Sequence, residues 1–84
     1  MAHGKPAPDV FLLAAARIGV DPTRCAVVED GIAGMRAARQ AGMHCVALIA
    51  NIRRQVPADV GVSTLRELLQ HPELLVPGRR TVAL

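Results

Sequence analysis

Residues 25–34 read CAVVEDGIAG: an apolar run that stops at two adjacent carboxylates, Glu29 and Asp30, and passes at once into glycine and small residues. A short valine-rich run bounded by turn residues fits a strand covered on both faces, as in a parallel sheet. Two adjacent acids at the end of such a strand repel one another and lose water, so the arrangement calls for a partner charge or a helix cap. Open α/β sheets build their sites outside the carboxyl ends of their strands, which is where this pair falls.

Downstream, GIAGMRAARQAGM reads as a helix, with small residues at 33, 34, 37, 38 and 41 that let its backbone lie close to a neighbour. Gly42 and Met43 fit a glycine cap followed by a hydrophobic contact. HCVALIA resembles a second covered strand, and VGV at 60–62 a short third one; NIRRQVPAD between them is irregular. Ser63 or Thr64 is placed to cap a last helix through LRELLQ. Upstream, MAHGKPAPD is a loop, and Pro8-Asp9 opens a helix through VFLLAAARI with an apolar stripe of Phe11, Leu12, Ala15 and Ile18. Gly19 is its stop signal. The order helix, strand, helix, strand, strand, helix predicts an α/β fold, a partial three-layer Rossmann-like core with a short parallel sheet of about three strands and flanking helices. Residues 1–70 are expected to form this unit, and 71–84, with two prolines, a loosely held tail.

The chain has 84 residues, enough for one small domain or part of a larger one. Its 51% apolar content supports a folded core, but the aromatic content is 1%, Phe11 alone, so that core is built from Ala, Val, Leu and Ile. The net charge of +3 and the pI of about 9.7 raise the question of nucleic acid. The arginines at 17, 24, 36, 39, 53, 54, 66, 79 and 80 are scattered, with no aromatic platform, zinc-ligand spacing or basic helix, so no nucleic-acid partner is expected. Cys25 and Cys45 each stand at the front of an apolar run and read as small buried hydrophobes rather than a disulfide. No charged-then-apolar leader opens the sequence, and no apolar stretch reaches the ~20 residues that span a bilayer. The expectation is a soluble, cytoplasmic protein with no membrane partner.

The chemistry suggested by the residues is that of a hard cation beside a positioned ammonium. Mg²⁺ takes one or two carboxylates together with waters and phosphate oxygens, and would relieve the repulsion between Glu29 and Asp30. Lys5, between Gly4 and Pro6 on a stiffened segment just before a helix, fixes a positive charge suited to offsetting phosphoryl charge.

Taken together, GKPAPDVFLLAAARIGVDPTRCAVVEDGIAGMRAARQAGM resembles the C-terminal half of haloacid dehalogenase (HAD) superfamily phosphatases, in their β-phosphoglucomutase-like branch. PADVGVSTLRELL resembles the final strand and helix of the same core, so the resemblance covers nearly all of residues 4–70. It implies a Mg²⁺-dependent phosphatase or phosphomutase that acts on a small phosphorylated metabolite through an aspartyl-phosphate. Lys5 would neutralise charge on the nucleophile and the transferring phosphoryl group, and Asp30 with Glu29 would form the metal shell. Gly31 would stand in the loop beside the metal, and Gly34 would pack the following helix. The family's Asp-x-Asp-x-Thr nucleophile motif does not occur in this sequence, and neither the phosphate-gripping Ser/Thr nor the substrate-selecting cap is recognisable. The expectation is therefore a fragment of such an enzyme, inactive alone, binding Mg²⁺ weakly or not at all. The competing expectation is a non-catalytic module that associates with itself through an unpaired edge of the CAVVE strand.

Overall fold

A computed structural model describes residues 7–51 and 53–76. It is an α/β unit whose elements follow the expected order. Helix α1 (Asp9–Ile18) is followed by a single 3₁₀ turn, strand β1 (Ala26–Glu29) and helix α2 (Ile32–Gln40). Strand β2 (His44–Leu48), strand β3 (Val60–Val62) and helix α3 (Leu65–Gln70) complete it, with a second 3₁₀ turn at Pro72–Leu75. The three strands form one parallel sheet in the order β1-β2-β3, with Val27 opposite Cys45 and Ala47 opposite Gly61.

Local signals set the boundaries. Gly19 and Gly42 hold φ of +70° and +78°, conformations only glycine adopts without strain, and each stops a helix. At the end of α2 the Met43 N–H donates to Ala38 O and the Gly42 N–H to Arg39 O, both at 3.0 Å, closing the last carbonyls of the helix as Met43 turns into the core. Of the two candidate caps for α3, the chain uses Thr64, whose hydroxyl accepts from the Glu67 N–H at 3.1 Å while the Glu67 carboxylate reaches back to the Ser63 N–H and hydroxyl.

The layers sit on both sides of β2. On one face α1 and α2 bury Met35, Ala38, Cys45 and Ala47, with Phe11 and Val27 against them. On the other, α3 and the second 3₁₀ turn bury Val46, Val62, Leu68 and Leu74. Alanines at 37, 38 and 41 of the α2 segment are buried, as the small-residue stripe requires.

Three expectations need correction in detail. β2 is covered on both faces, but β1 is not: Ala26 and Val28 are exposed on the α3 side, because α3 lies over β2 and β3. The stripe on α1 narrows to Phe11 and Ala15, with Leu12 and Ile18 exposed; α1 packs against the margin of α2 and β1, too narrow a surface to take a full helix face. Residues 71–76, read as the start of a loose tail, are held: Leu74 is 1% exposed and its carbonyl lies 2.7 Å from His44 Nε2. Residues 77–84 lie outside the described part. Among the described residues no helix is long and apolar enough to cross a membrane.

Candidate functional site

The carboxyl end of β1 carries the two acids, and the turn into α2 separates their roles. Glu29 closes the strand, half-buried, and its Oε1 accepts from the Asp30 N–H and the Gly31 N–H, both at 3.2 Å. Its carboxylate thus sits at the positive end of α2, where no side chain caps the helix from Gly31 itself. Gly34, in the first turn of α2, makes this possible. A Cβ there would collide with Glu29 Cδ and Oε2, so only glycine leaves room for the folded-back carboxylate. The glycine expected to pack the helix therefore packs it against the acid.

Asp30 is exposed, and none of its side-chain oxygens accepts a bond from the described residues. Gly31, the helix N-cap, has extended backbone at φ −106°, and a Cβ there would make only ordinary contact with Glu29 Oε1. The expected pair is thus divided into a pinned carboxylate and one without a partner among the described residues. Lys5, the expected catalytic cation, lies outside the described residues.

The donor set suits a hard cation in part. Asp30 offers an uncommitted carboxylate at the mouth of the sheet, and Glu29 keeps lone pairs beyond the two it gives its own backbone. No cluster of three or more His, Cys, Asp or Glu that would close a shell stands among the described residues. Mg²⁺ is content with one or two carboxylates when waters and phosphate oxygens fill the remaining positions, so the two acids fit a partial shell.

The amino end of the sheet holds a second polar cluster, which the sequence reading did not single out. Asp59, just before β3, accepts the Cys45 N–H on Oδ2 at 2.7 Å and Arg39 Nη1 on Oδ1 at 3.1 Å. His44 Nδ1 stands 3.7 Å from Asp59 Oδ2 while its Nε2 meets Leu74 O. The Asp59 N–H also donates to Cys45 O at 2.9 Å, so one residue satisfies both backbone groups of Cys45. These partners are 14 and 20 residues apart and share no spacing that a sequence displays. The available signal was the position of Asp59 directly before the VGV run.

Geometry and sequence agree on the class: a parallel sheet with an acidic pair at the carboxyl end of a strand, running into a helix through glycine. The chain belongs to the haloacid dehalogenase-like hydrolases, whose family pattern matches residues 1–42, half its length. It is similar to fructose-1-phosphate phosphatase YqaB of Escherichia coli, 61% identical over 44 residues that make up 52% of this chain and 23% of that protein. Hexitol phosphatase B of E. coli is 42% identical over 72 residues, 81% of this chain and 32% of that protein. The crystal structure of β-phosphoglucomutase from Clostridium difficile superposes with a TM-score of 0.75 at 29% identity, covering 88% of this chain and 34% of that one. This chain therefore spans between 23% and 34% of the length of these relatives.

Proposed function

We propose that this chain forms the metal-holding part of a phosphatase or phosphomutase core that acts on a small phosphorylated metabolite by way of an aspartyl-phosphate. The observation that carries the reading is the exposed Asp30 carboxylate, without a partner among the described residues, beside a pinned Glu29 at the carboxyl end of a parallel sheet. Asp30 and Glu29 would hold Mg²⁺, which when bound supplies positive charge for phosphoryl oxygens. Glu29 acts by position: its two backbone bonds and the space at Gly34 fix where the second carboxylate stands. Gly31 keeps the loop beside that point free of side-chain bulk, and Lys5 would bring a second cation toward the same phosphoryl group.

The relatives support a sugar or sugar-alcohol phosphate as the substrate class, since they are named for fructose 1-phosphate, hexitol phosphates and phosphoglucose. Covalent transfer needs a nucleophile, and these 84 residues contain no Asp-x-Asp-x-Thr motif. Alone, they are expected to turn over no phosphate ester. Isothermal titration of the chain with Mg²⁺ tests the metal reading: weak, millimolar binding is expected, and Asp30→Asn should abolish it. No heat in the parent chain would overturn it. Hydrolysis of a generic aryl phosphate that disappears in Asp30→Asn would overturn the expected inactivity.

A further inference from the structure

Helix α2 packs on β1 and β2, and beside β3 the chain encloses a cavity of about 340 Å³. Every residue lining it lies between 49 and 61, so β3 and the connection that leads to it build the cavity by themselves. β3 is separated from β1 by β2, so nothing that borders β1 enters the site. Gly61 keeps the space open. It stands opposite Ala47, so a side chain there would project to the face that holds Ala47 and Ile49. Its φ lies outside the left-handed region, so the backbone does not require glycine, and a glycine in mid-strand weakens the strand. Packing does not require it either: the atom nearest to an added Cβ would be the flexible tip of Ile49, Cδ1 at 3.4 Å. What a larger side chain would occupy is the cavity, and a strand glycine so placed marks the close approach of a ligand.

The charges on the lining select that ligand. Two ionisable side chains border the cavity, Arg54 and Asp59. Both oxygens of Asp59 are taken, by the Cys45 N–H and by Arg39, whereas the exposed Arg54 guanidinium meets no carboxylate among the described residues. A guanidinium receives a carboxylate on two parallel N–H groups. A phosphate monoester, with nearly two negative charges at neutral pH, would be repelled more strongly by Asp59 than a carboxylate would. The rest of the lining that a ligand would touch is apolar: Ile49, Val56, Ala58 and the bare backbone of Gly61. The volume lies at the small end of ligand clefts, which run from roughly 300 to 1,000 Å³. We infer that this cavity binds a short-chain carboxylic acid of about four to six carbons, its chain against Ile49, Val56 and Gly61 and its carboxylate on Arg54.

Titration of the full chain with sodium hexanoate at fixed ionic strength, followed by nitrogen-15 amide shifts, tests this. No metal or phosphate ester takes part, so the result is independent of the phosphatase reading. Saturable shifts are expected on the amides of Gln55, Val60 and Gly61, which line the cavity, with a Kd in the millimolar range. Arg54→Gln should weaken binding by about tenfold, since it removes a charge-assisted hydrogen bond. Gly61→Val fills the cavity and should abolish binding, with a melting temperature at or above the parent's. Hexan-1-ol and inorganic phosphate should each bind about tenfold more weakly than hexanoate, the first lacking the charge and the second the apolar chain. No saturable shift at Gly61 overturns the proposal, and so does binding indifferent to Arg54→Gln. Equal binding of hexan-1-ol overturns it too, because the cavity would then be an apolar crevice, and equal binding of phosphate overturns the choice of carboxylate. Should Gly61→Val fail to fold, Arg54→Gln and the two control compounds decide.

Discussion

Asp59, before β3 at the amino end of the sheet, and the Glu29–Asp30 pair, after β1 at its carboxyl end, use their carboxylates differently. At the amino end Asp59 is fully engaged: both oxygens accept bonds, from the buried backbone of Cys45 and from Arg39, with the His44 ring close by. At the carboxyl end Glu29 is held only by its own turn and Asp30 by nothing described. The amino-end cluster ties α2, β2, the start of β3 and the last 3₁₀ turn together, so it reads as a structural lock. Among the described residues nothing holds the Asp30 carboxylate, and on the proposed reading it is the one left to a ligand. Burial does not separate the two ends, because Asp59 is itself partly exposed; the number of satisfied partners does.

Removing the lock should cost most. Asp59→Ala strands the Cys45 N–H and frees Arg39, and should lower unfolding free energy by about 2 kcal/mol in urea titration, the usual cost of an unpaired buried donor. The exposed Arg39 pair adds little to that figure. A loss under half of this would mean that the amino end is no better tied than the carboxyl end.

The second effect belongs to alkaline pH. Burial, and after it the Asp59 carboxylate, push the Cys45 thiol up to about 11 from an ordinary 9.0. A group whose folded pKa is raised keeps its full contribution below the unfolded value and loses it as pH rises through the folded one. Stability should therefore decline between about pH 9 and 11. Chemical denaturation across that window should show a flatter profile in Cys45→Ala. In the native protein at pH near 8 a thiol reagent should label the half-buried Cys25 and spare Cys45.

Smaller still is Gly34→Ala at the carboxyl end. The new Cβ evicts Glu29 from its place at the helix end and breaks two N–H bonds, while alanine returns up to ~1 kcal/mol of helix propensity. The net change in thermal stability should stay within about 1 kcal/mol, with Mg²⁺ affinity reduced far more than stability. Unchanged Mg²⁺ affinity would show that the position of Glu29 does not matter to the site.

Asp30→Asn should be the mildest for the fold, within about 0.5 kcal/mol by urea titration, as expected of an exposed group without partners among the described residues. A large loss there would erase the contrast between the two ends.

Much of this protein is legible in its residues. The two helix stops at Gly19 and Gly42, the valine run of β1 and the cap at Thr64 depend on neighbours within a few positions, so the sequence displays them directly. The acidic pair was legible for the same reason, since its meaning rests on adjacency to the strand end. The misreadings have one cause. Whether Leu12, Ile18, Val28 or Leu74 is covered depends on which elements lie across from them, and helical or strand periodicity identifies a face without naming its partner.

The sequence by itself thus determined the order of elements, the parallel sheet and the end of it that carries the acids, because each follows from local spacing. Only the tertiary structure decided that Glu29 folds back onto Gly34 while Asp30 meets none of the described residues, and that Asp59 belongs to the framework. Those roles come from contacts between β1 and α2 and across β2 and β3, made by residues whose closeness arises from packing and from no pattern along the chain.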